Sequence, residues 1–275
     1  MKPFIAFTTP SRLLNPASGY LAGYTHTLNP YTGCAFACSY CYVREMPVAK
    51  FRPAPWGTWV DVKEGAAAKL HKELVRERKK GGPITIFLSS ATDPYQPIEY
   101  RTKLTRSLLE TMLEVRPDFV LVQTRSPLAV RDIDVLRQLG SGVRVSMTIE
   151  TDLEGVRKAF SPAAPPIPAR LRALRQLCDA GIPAQAAVSP LLPSSDAFAD
   201  RLADTGVQRI CLDDYFMGDG SLGKRTARLG LQPIYQSLNA ADWYDPSAYL
   251  RVMEQLKHRF AKDQVRISQA GFMPF

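Results

Sequence analysis

A chain of 275 residues, 45% hydrophobic and 22% charged, has the balance of an ordinary globular protein and excludes a collagen-like or disordered one. No apolar run is long enough to cross a bilayer and the amino terminus has no signal-peptide core, so a cytoplasmic location is expected. The 35 basic and 26 acidic residues give a formal net charge of +9, which suits a nucleic acid or another anionic partner. The charge also has a structural reading. Arg76, Arg78, Lys79 and Lys80 close a predicted helix, where positive charge complements the macrodipole, and Arg170, Arg172 and Arg175 share a helix with apolar partners.

In chain order, His26 to Leu28 reads as a strand ahead of a loop that holds Cys34, Cys38 and Cys41. A helix is predicted over residues 62–80, with Ala67, Leu70 and Leu74 on one face and Gly81-Gly82-Pro83 as its stop. Residues 84–88 form a buried strand ending at Ser89-Ser90-Ala91-Thr92-Asp93. Leu104, Leu108 and Met112 mark the next helix, widened by Leu109 and Leu113. Residues 119–122 are a strand ended by Gln123-Thr124-Arg125. A short helix follows around Ile133, Leu136 and Leu139, closed by Gly140, and residues 143–147 are the next strand. The prolines of residues 161–168 predict a loop. Leu171, Leu174 and Cys178 then share a helical face before strands at 184–188 and 207–212.

Six βα-type units are too few to close an eight-stranded barrel. The fold class expected is therefore α/β, an open partial (β/α)6 TIM-type barrel with a C-terminal extension. Its reactive groups belong at the carboxyl ends of the strands. Residues 1–19 are read as an N-terminal extension, 20–213 as the partial barrel, and 214–275 as an extension that packs on the barrel or caps it. Packing against the outside is the preferred reading. This last stretch holds a glycine-rich loop at 218–223, Trp243-Tyr244, a helix near residues 249–260 and an apolar tail at 271–275.

The cysteine loop carries the chemistry. Thiolates are soft ligands, and clustered ones suit iron–sulfur clusters or zinc. Three sulfurs serve three irons of a [4Fe–4S] cubane and leave one iron open to a chelating molecule. Structural zinc normally takes four ligands in two pairs, whereas Cys178 and Cys211 are single and far apart. His26 leaves an irregular three-Cys, one-His zinc site as an alternative. Five cysteines without a secretion signal do not suit a disulfide framework.

The Cys-x3-Cys-x-aromatic-Cys run stands between Leu28-Asn29-Pro30-Tyr31-Thr32-Gly33 and Thr92-Asp93-Pro94-Tyr95-Gln96-Pro97-Ile98-Glu99. With those flanks it resembles the radical S-adenosylmethionine (SAM) enzymes, in the branch related to spore photoproduct lyase, over about residues 20 to 213. The resemblance implies a [4Fe–4S] cluster on Cys34, Cys38 and Cys41, SAM chelated at the open iron, and a 5′-deoxyadenosyl radical that takes hydrogen from substrate. It also implies a backbone contact from Tyr40 to adenine and polar contacts from Thr92 and Asp93 to the methionine end of SAM. Arg125 stands where the family has a lysine at the SAM carboxylate, Ser146 where a polar group faces ribose or carboxylate, and Val188 in the segment lining adenine. An external one-electron reductant of flavodoxin or ferredoxin type is implied as partner.

Read from the residues alone, Asp93 is equally a turn former before Pro94. Glu150 and Asp213 are acids near strand ends that could meet SAM or substrate. One departure from the family matters. The position of its hydrogen-donating cysteine is Ser90 here, and a hydroxyl O–H bond is too strong for that role, which argues against spore photoproduct lyase activity. Cys178 reads as core, and Cys211 is the remaining thiol placed to approach the site. No other catalytic residue is assigned. The substrate is left as nucleic acid, or a small metabolite or peptide. The rival readings are a non-catalytic metal-binding or regulatory protein, and transfer of the aminocarboxypropyl group of SAM.

Overall fold

The computed structural model describes residues 2–218 and 221–274. Asp219 and Gly220 of the glycine-rich loop, and Phe275 of the apolar tail, lie outside the described residues. The chain opens with strand β1 (Phe4–Thr8), then β2 (Asn15–Pro16), β3 (His26–Leu28) and β4 (Tyr31–Thr32). After the cysteine loop comes β5 (Trp59–Lys63), followed by α1 (Ala66–Lys80), β6 (Thr85–Leu88), α2 (Leu104–Glu114) and β7 (Phe119–Thr124). Next are α3 (Ile133–Leu139), β8 (Val143–Thr148), α4 (Glu154–Phe160), α5 (Ile167–Asp179), β9 (Ala184–Val188), α6 (Phe198–Ala203) and β10 (Ile210–Leu212). Toward the end stand α7 (Tyr249–Lys257), β11 (Val265–Ile267) and α8 (Gln269–Phe272).

The main sheet among the described residues has the order β11-β10-β9-β8-β7-β6-β3-β2. Every pairing in it is parallel except β2 with β3. The run β3, β6, β7, β8, β9, β10 supplies the six consecutive parallel strands of the expected partial barrel, and its two edges do not meet. Period-two alternation sorts the side chains. Val120, Val122, Val145, Met147 and Val188 face the helices in one core, while Phe87, Leu121, Ala187 and Cys211 gather on the concave side with Tyr24 and Phe272. The helices cover the convex face through stripes such as Leu70 and Leu74 of α1, both fully buried. Each such leucine contributes about 1.5–3 kcal/mol by burial.

Helices α4 and α6 and strand β11 add to the predicted elements, the strand expected over residues 207–212 is confined to Ile210–Leu212, and three further differences have local causes. The helix predicted from residue 62 begins at Ala66, because Trp59 to Lys63 pair in parallel with β1 and Gly65 turns left-handed at φ 64. Helix α5 starts inside the predicted loop, at Ile167, since a proline is tolerated in the first helical turn. A second sheet, β1-β5-β4, has no counterpart in the expectation, and Trp59 of β5 shares a buried cluster with Cys34, Phe36 and Cys38 of the cysteine loop.

The carboxyl-terminal residues do more than cover the outside. β11 adds a parallel strand beside β10, and the segment after it turns onto the concave face. There Phe272 packs against Tyr20 and Phe87, with Tyr24 OH donating to the Phe272 carbonyl. Gly271 lies so close to Cys211 that a Cβ would fall 2.2 Å from its sulfur. No helix among the described residues is long and apolar enough to cross a membrane.

Candidate active site

The loop that holds the cysteines is fixed from three directions. Gly33 takes φ +84, and a Cβ there would stand 2.5 Å from the Trp59 carbonyl oxygen, so glycine is required both by torsion and by space. The Gly33 carbonyl accepts from Thr92 Oγ1 at 2.6 Å and from Gln96 Nε2 at 3.2 Å, while the Ala35 amide donates to Gln96 Oε1 at 2.9 Å. Gln96 is fully buried and ties the loop to the segment after β6. From the other side, Arg44 donates to the carbonyls of Cys38 and Ala37 at 2.9 and 2.7 Å, and the Ser39 amide donates to the Phe160 carbonyl at 2.8 Å. Gly33→Ala is therefore expected to cost roughly 2–4 kcal/mol from left-handed strain and overpacking. A melting temperature about 5–10 °C lower is the check, together with reduced iron uptake. An unchanged melting curve would contradict this account of the loop.

Cys34, Cys38 and Cys41 are free thiols on the wall of one cavity of about 510 Å³, at the carboxyl ends of the parallel strands. Burial, the Asp93 carboxylate and the other two sulfurs all push the Cys34 thiol up, and burial with Cys38 beside it pushes Cys41 up to about 11. Thiolates held this close together need a positive centre between them. Arg125 supplies part of the answer, donating from Nη1 to Cys38 Sγ at 3.1 Å and also to Tyr40 OH. No three His, Cys, Asp or Glu side chains among the described residues form a single-ion site. A cubane makes no such demand, since each thiolate meets a different iron. The donor set fits a [4Fe–4S] cluster.

Behind Cys38 runs a buried polar chain. Tyr40 OH donates to Glu150 Oε1 at 2.9 Å, and Arg170 Nη1 donates to Glu150 Oε2 at 2.6 Å, with both side chains fully buried. Burial alone would raise the Glu150 carboxyl, but Arg170 and Arg125 outweigh it and hold it below the usual carboxylate range. Glu150 is thereby spent inside the protein and is not part of the cavity wall. The Tyr40 ring rests against Phe160 and Tyr215.

The other residues singled out from the sequence divide between the wall and the layers behind it. Thr92, Asp93 and Arg125 line the cavity. Asp93 is also a turn former: its carboxylate accepts from the Tyr95 amide at 2.9 Å, Thr124 Oγ1 at 2.7 Å and the Arg125 amide at 2.9 Å. It thus sets the start of the Arg125 loop. Ser146 does not line the cavity; it is fully buried and accepts from Gln185 Nε2 at 2.9 Å. Val188 is also absent from the wall, because it points into the core beneath the helices, and its neighbours Ser189 and Pro190 reach the cavity instead. Cys211 likewise stays off the wall, buried under Gly271 with its sulfur 3.8 Å from the Ser268 carbonyl. Ser90 does line the cavity, and Tyr42 OH donates to its carbonyl.

Sequence reading gave no role to Asn29, Gln96, Tyr20, Asp214 or Phe272. Gln96 stood within a quoted motif, and Asn29 Oδ1 accepts from the Ala91 amide at 2.9 Å to join the two loops. Tyr20, Asp214 and Phe272 carry no local signal; they meet at the wall only through the fold.

A model of the radical SAM superfamily matches residues 28–204. An uncharacterized protein of Methanocaldococcus jannaschii is 33% identical over 180 residues, which covers 66% of this chain and 64% of the relative. An uncharacterized protein of Acidianus two-tailed virus is 32% identical over 200 residues with the same two shares. The chain thus spans about 64% of the length of these curated relatives. Among solved structures, spore photoproduct lyase complexed with dinucleoside spore photoproduct superposes with TM-score 0.66 at 14% identity, over 96% of this chain and 81% of that one. A double variant of that enzyme with bound AdoMet and the dinucleoside gives the same TM-score, identity and coverage. At such identity the likeness is one of fold.

Proposed function

The chain belongs to the radical SAM superfamily, whose members use a [4Fe–4S] cluster and SAM, and from that premise we propose that Cys34, Cys38 and Cys41 hold the cluster. The cavity they border receives SAM and a substrate. When bound and reduced, the cluster supplies the electron that breaks a carbon–sulfur bond of SAM and starts radical chemistry. The observation that carries this reading is three free thiols on one cavity wall, with Arg125 donating to one of them.

The chain's own residues hold and orient. Arg125 offers a cation between Cys38 and Tyr40, where it can both balance thiolate charge and meet a carboxylate. Thr92 Oγ1 donates to the Gly33 carbonyl and accepts from Gln96 Nε2, so it positions the loop and keeps one lone pair for a ligand. Asp93 accepts three hydrogen bonds and positions rather than binds. Tyr40 and Trp56, both on the wall and both buried, keep water from the cysteine side of the cavity.

Anaerobic reconstitution with iron and sulfide, followed by reduction in the presence of SAM, is expected to yield 5′-deoxyadenosine and about four irons per chain. Methylthioadenosine in its place would redirect the reading to aminocarboxypropyl transfer. Iron binding with neither product would leave a non-catalytic metal protein.

A nucleic-acid substrate draws less support from the structure than from composition. Arg170 is internal and bound to Glu150, Arg78 is paired with Asp118, and Lys80 with Glu77. Each of those charges has an acidic partner within the chain.

A further inference from the structure

Burying a carboxylate is costly unless its oxygens meet donors or a cation. This chain meets that requirement repeatedly: Asp61 is clamped by Arg52, Glu99 and Asp132 by Arg131, and Glu73 by the amides of Leu13 and Leu14. The exception is the adjacent pair Asp213 and Asp214, just after β10. They are 1% and 7% exposed, and both line the cavity. Asp213 Oδ2 accepts from Tyr20 OH at 3.2 Å and Ser189 Oγ at 3.3 Å. Asp214 Oδ1 accepts from the amides of Phe216 and Met217, each at 2.8 Å. The remaining oxygens, Asp213 Oδ1 and Asp214 Oδ2, are buried without a hydrogen-bond partner. Burial and the neighbouring Asp214 push the Asp213 carboxyl up to about 7, and burial pushes Asp214 up as well, so each carboxylate lacks the compensation the others receive.

The surroundings select the occupant. Tyr20 and Phe272 stand edge to face at 6.2 Å on the same wall. Aromatic rings beside carboxylates suit a weakly hydrated organic cation, whereas magnesium or calcium wants a cage of oxygens and several waters. A phosphate or carboxylate placed here would face two charges of its own sign. We propose that Asp213 and Asp214 form a subsite for an organic cation on the substrate, a protonated amine or guanidinium on an alkyl stem. None of the hydrogen bonds around Asp213 comes from the cysteine loop; Tyr20 precedes β3 and Ser189 follows β9. The cation is assigned to the substrate rather than to SAM, an assignment that rests on the radical SAM reading of the cavity.

The test is calorimetric titration of the reconstituted chain with n-butylguanidinium and with its neutral counterpart n-butylurea. The guanidinium is expected to bind about tenfold tighter than the urea, and Asp213→Asn to remove that preference while leaving SAM affinity within about twofold. Asp214→Asn is expected to weaken the guanidinium several-fold. Equal binding of the two probes by the unaltered protein would overturn the proposal without any variant having to fold. A loss of SAM affinity in Asp213→Asn with probe binding intact would overturn it too, by assigning the carboxylate to the cofactor. So would displacement of the guanidinium by manganese at micromolar concentration. Probe binding needs no SAM cleavage, so absence of 5′-deoxyadenosine would sink the functional reading and leave this result legible.

Discussion

Cys38→Ala is expected to abolish cluster assembly and, with it, 5′-deoxyadenosine formation, to below about one hundredth of the unaltered protein. A cubane held by three thiolates has no spare ligand, and among the described residues no other cysteine lines the cavity. Cys178 sits on α5, packed against the core away from the cavity, and Cys211 is sealed under Gly271. Removing one buried sulfur costs about 1 kcal/mol of stability, so the folded protein survives the change. Iron content and the visible absorbance of the reconstituted protein, read beside a melting curve, separate loss of ligand from loss of fold. Cys178→Ala serves as the comparison and is expected to load iron fully. A Cys38→Ala protein with a full iron complement would refute the ligand assignment, and the same experiment applies to Cys34 and Cys41.

Glu150→Ala is the second large effect, and it falls on stability. Arg170 is fully buried, and its Nη2 already lacks a partner. Without Glu150 its charge stands uncompensated in the core, at a cost of about 3–5 kcal/mol, or roughly 10 °C in melting temperature. Tyr40 loses its acceptor at the same time, and Arg125 loses a carboxylate 3.6 Å away. The sign with pH follows from the depressed Glu150 carboxyl. A carboxyl whose folded pKa lies below its unfolded value stabilises fully above the unfolded pKa, and that stability is lost as pH falls through the folded one. The gap between variant and parent should thus persist at neutral pH and shrink only in acid, below the ordinary glutamate range. Replacing Glu150 and Arg170 together with methionine is expected to recover much of the loss. Equal melting of Glu150→Ala and the parent at pH 7 would show that the buried pair is energetically idle.

Much of this architecture was legible because it is written locally. Leu104, Leu108 and Met112 repeat at helical spacing, and the run 119–122 has no polar member, so α2 and β7 could be read from periodicity. The second sheet escaped because β4 is two residues long and β1 pairs with a strand more than fifty positions away. Val188 shows a different limit. In a strand the side chains alternate, so one position decides whether a residue faces the cavity side or the helices. Val188 faces the helices and Ser189 the cavity, a difference that motif matching alone does not resolve.

The sequence by itself determined the cysteine loop, the alternation of strands and helices and the superfamily, because each is carried by residues close together in the chain. Only the tertiary structure decided what faces the cavity opposite the cysteines. Tyr20 meets Asp213 across 193 positions, and Tyr24 meets Phe272 across 248. Such contacts depend on how far the open sheet curls and where the chain end turns back into it. Local propensity does not encode that curvature; the packing of the whole sheet against its helices does.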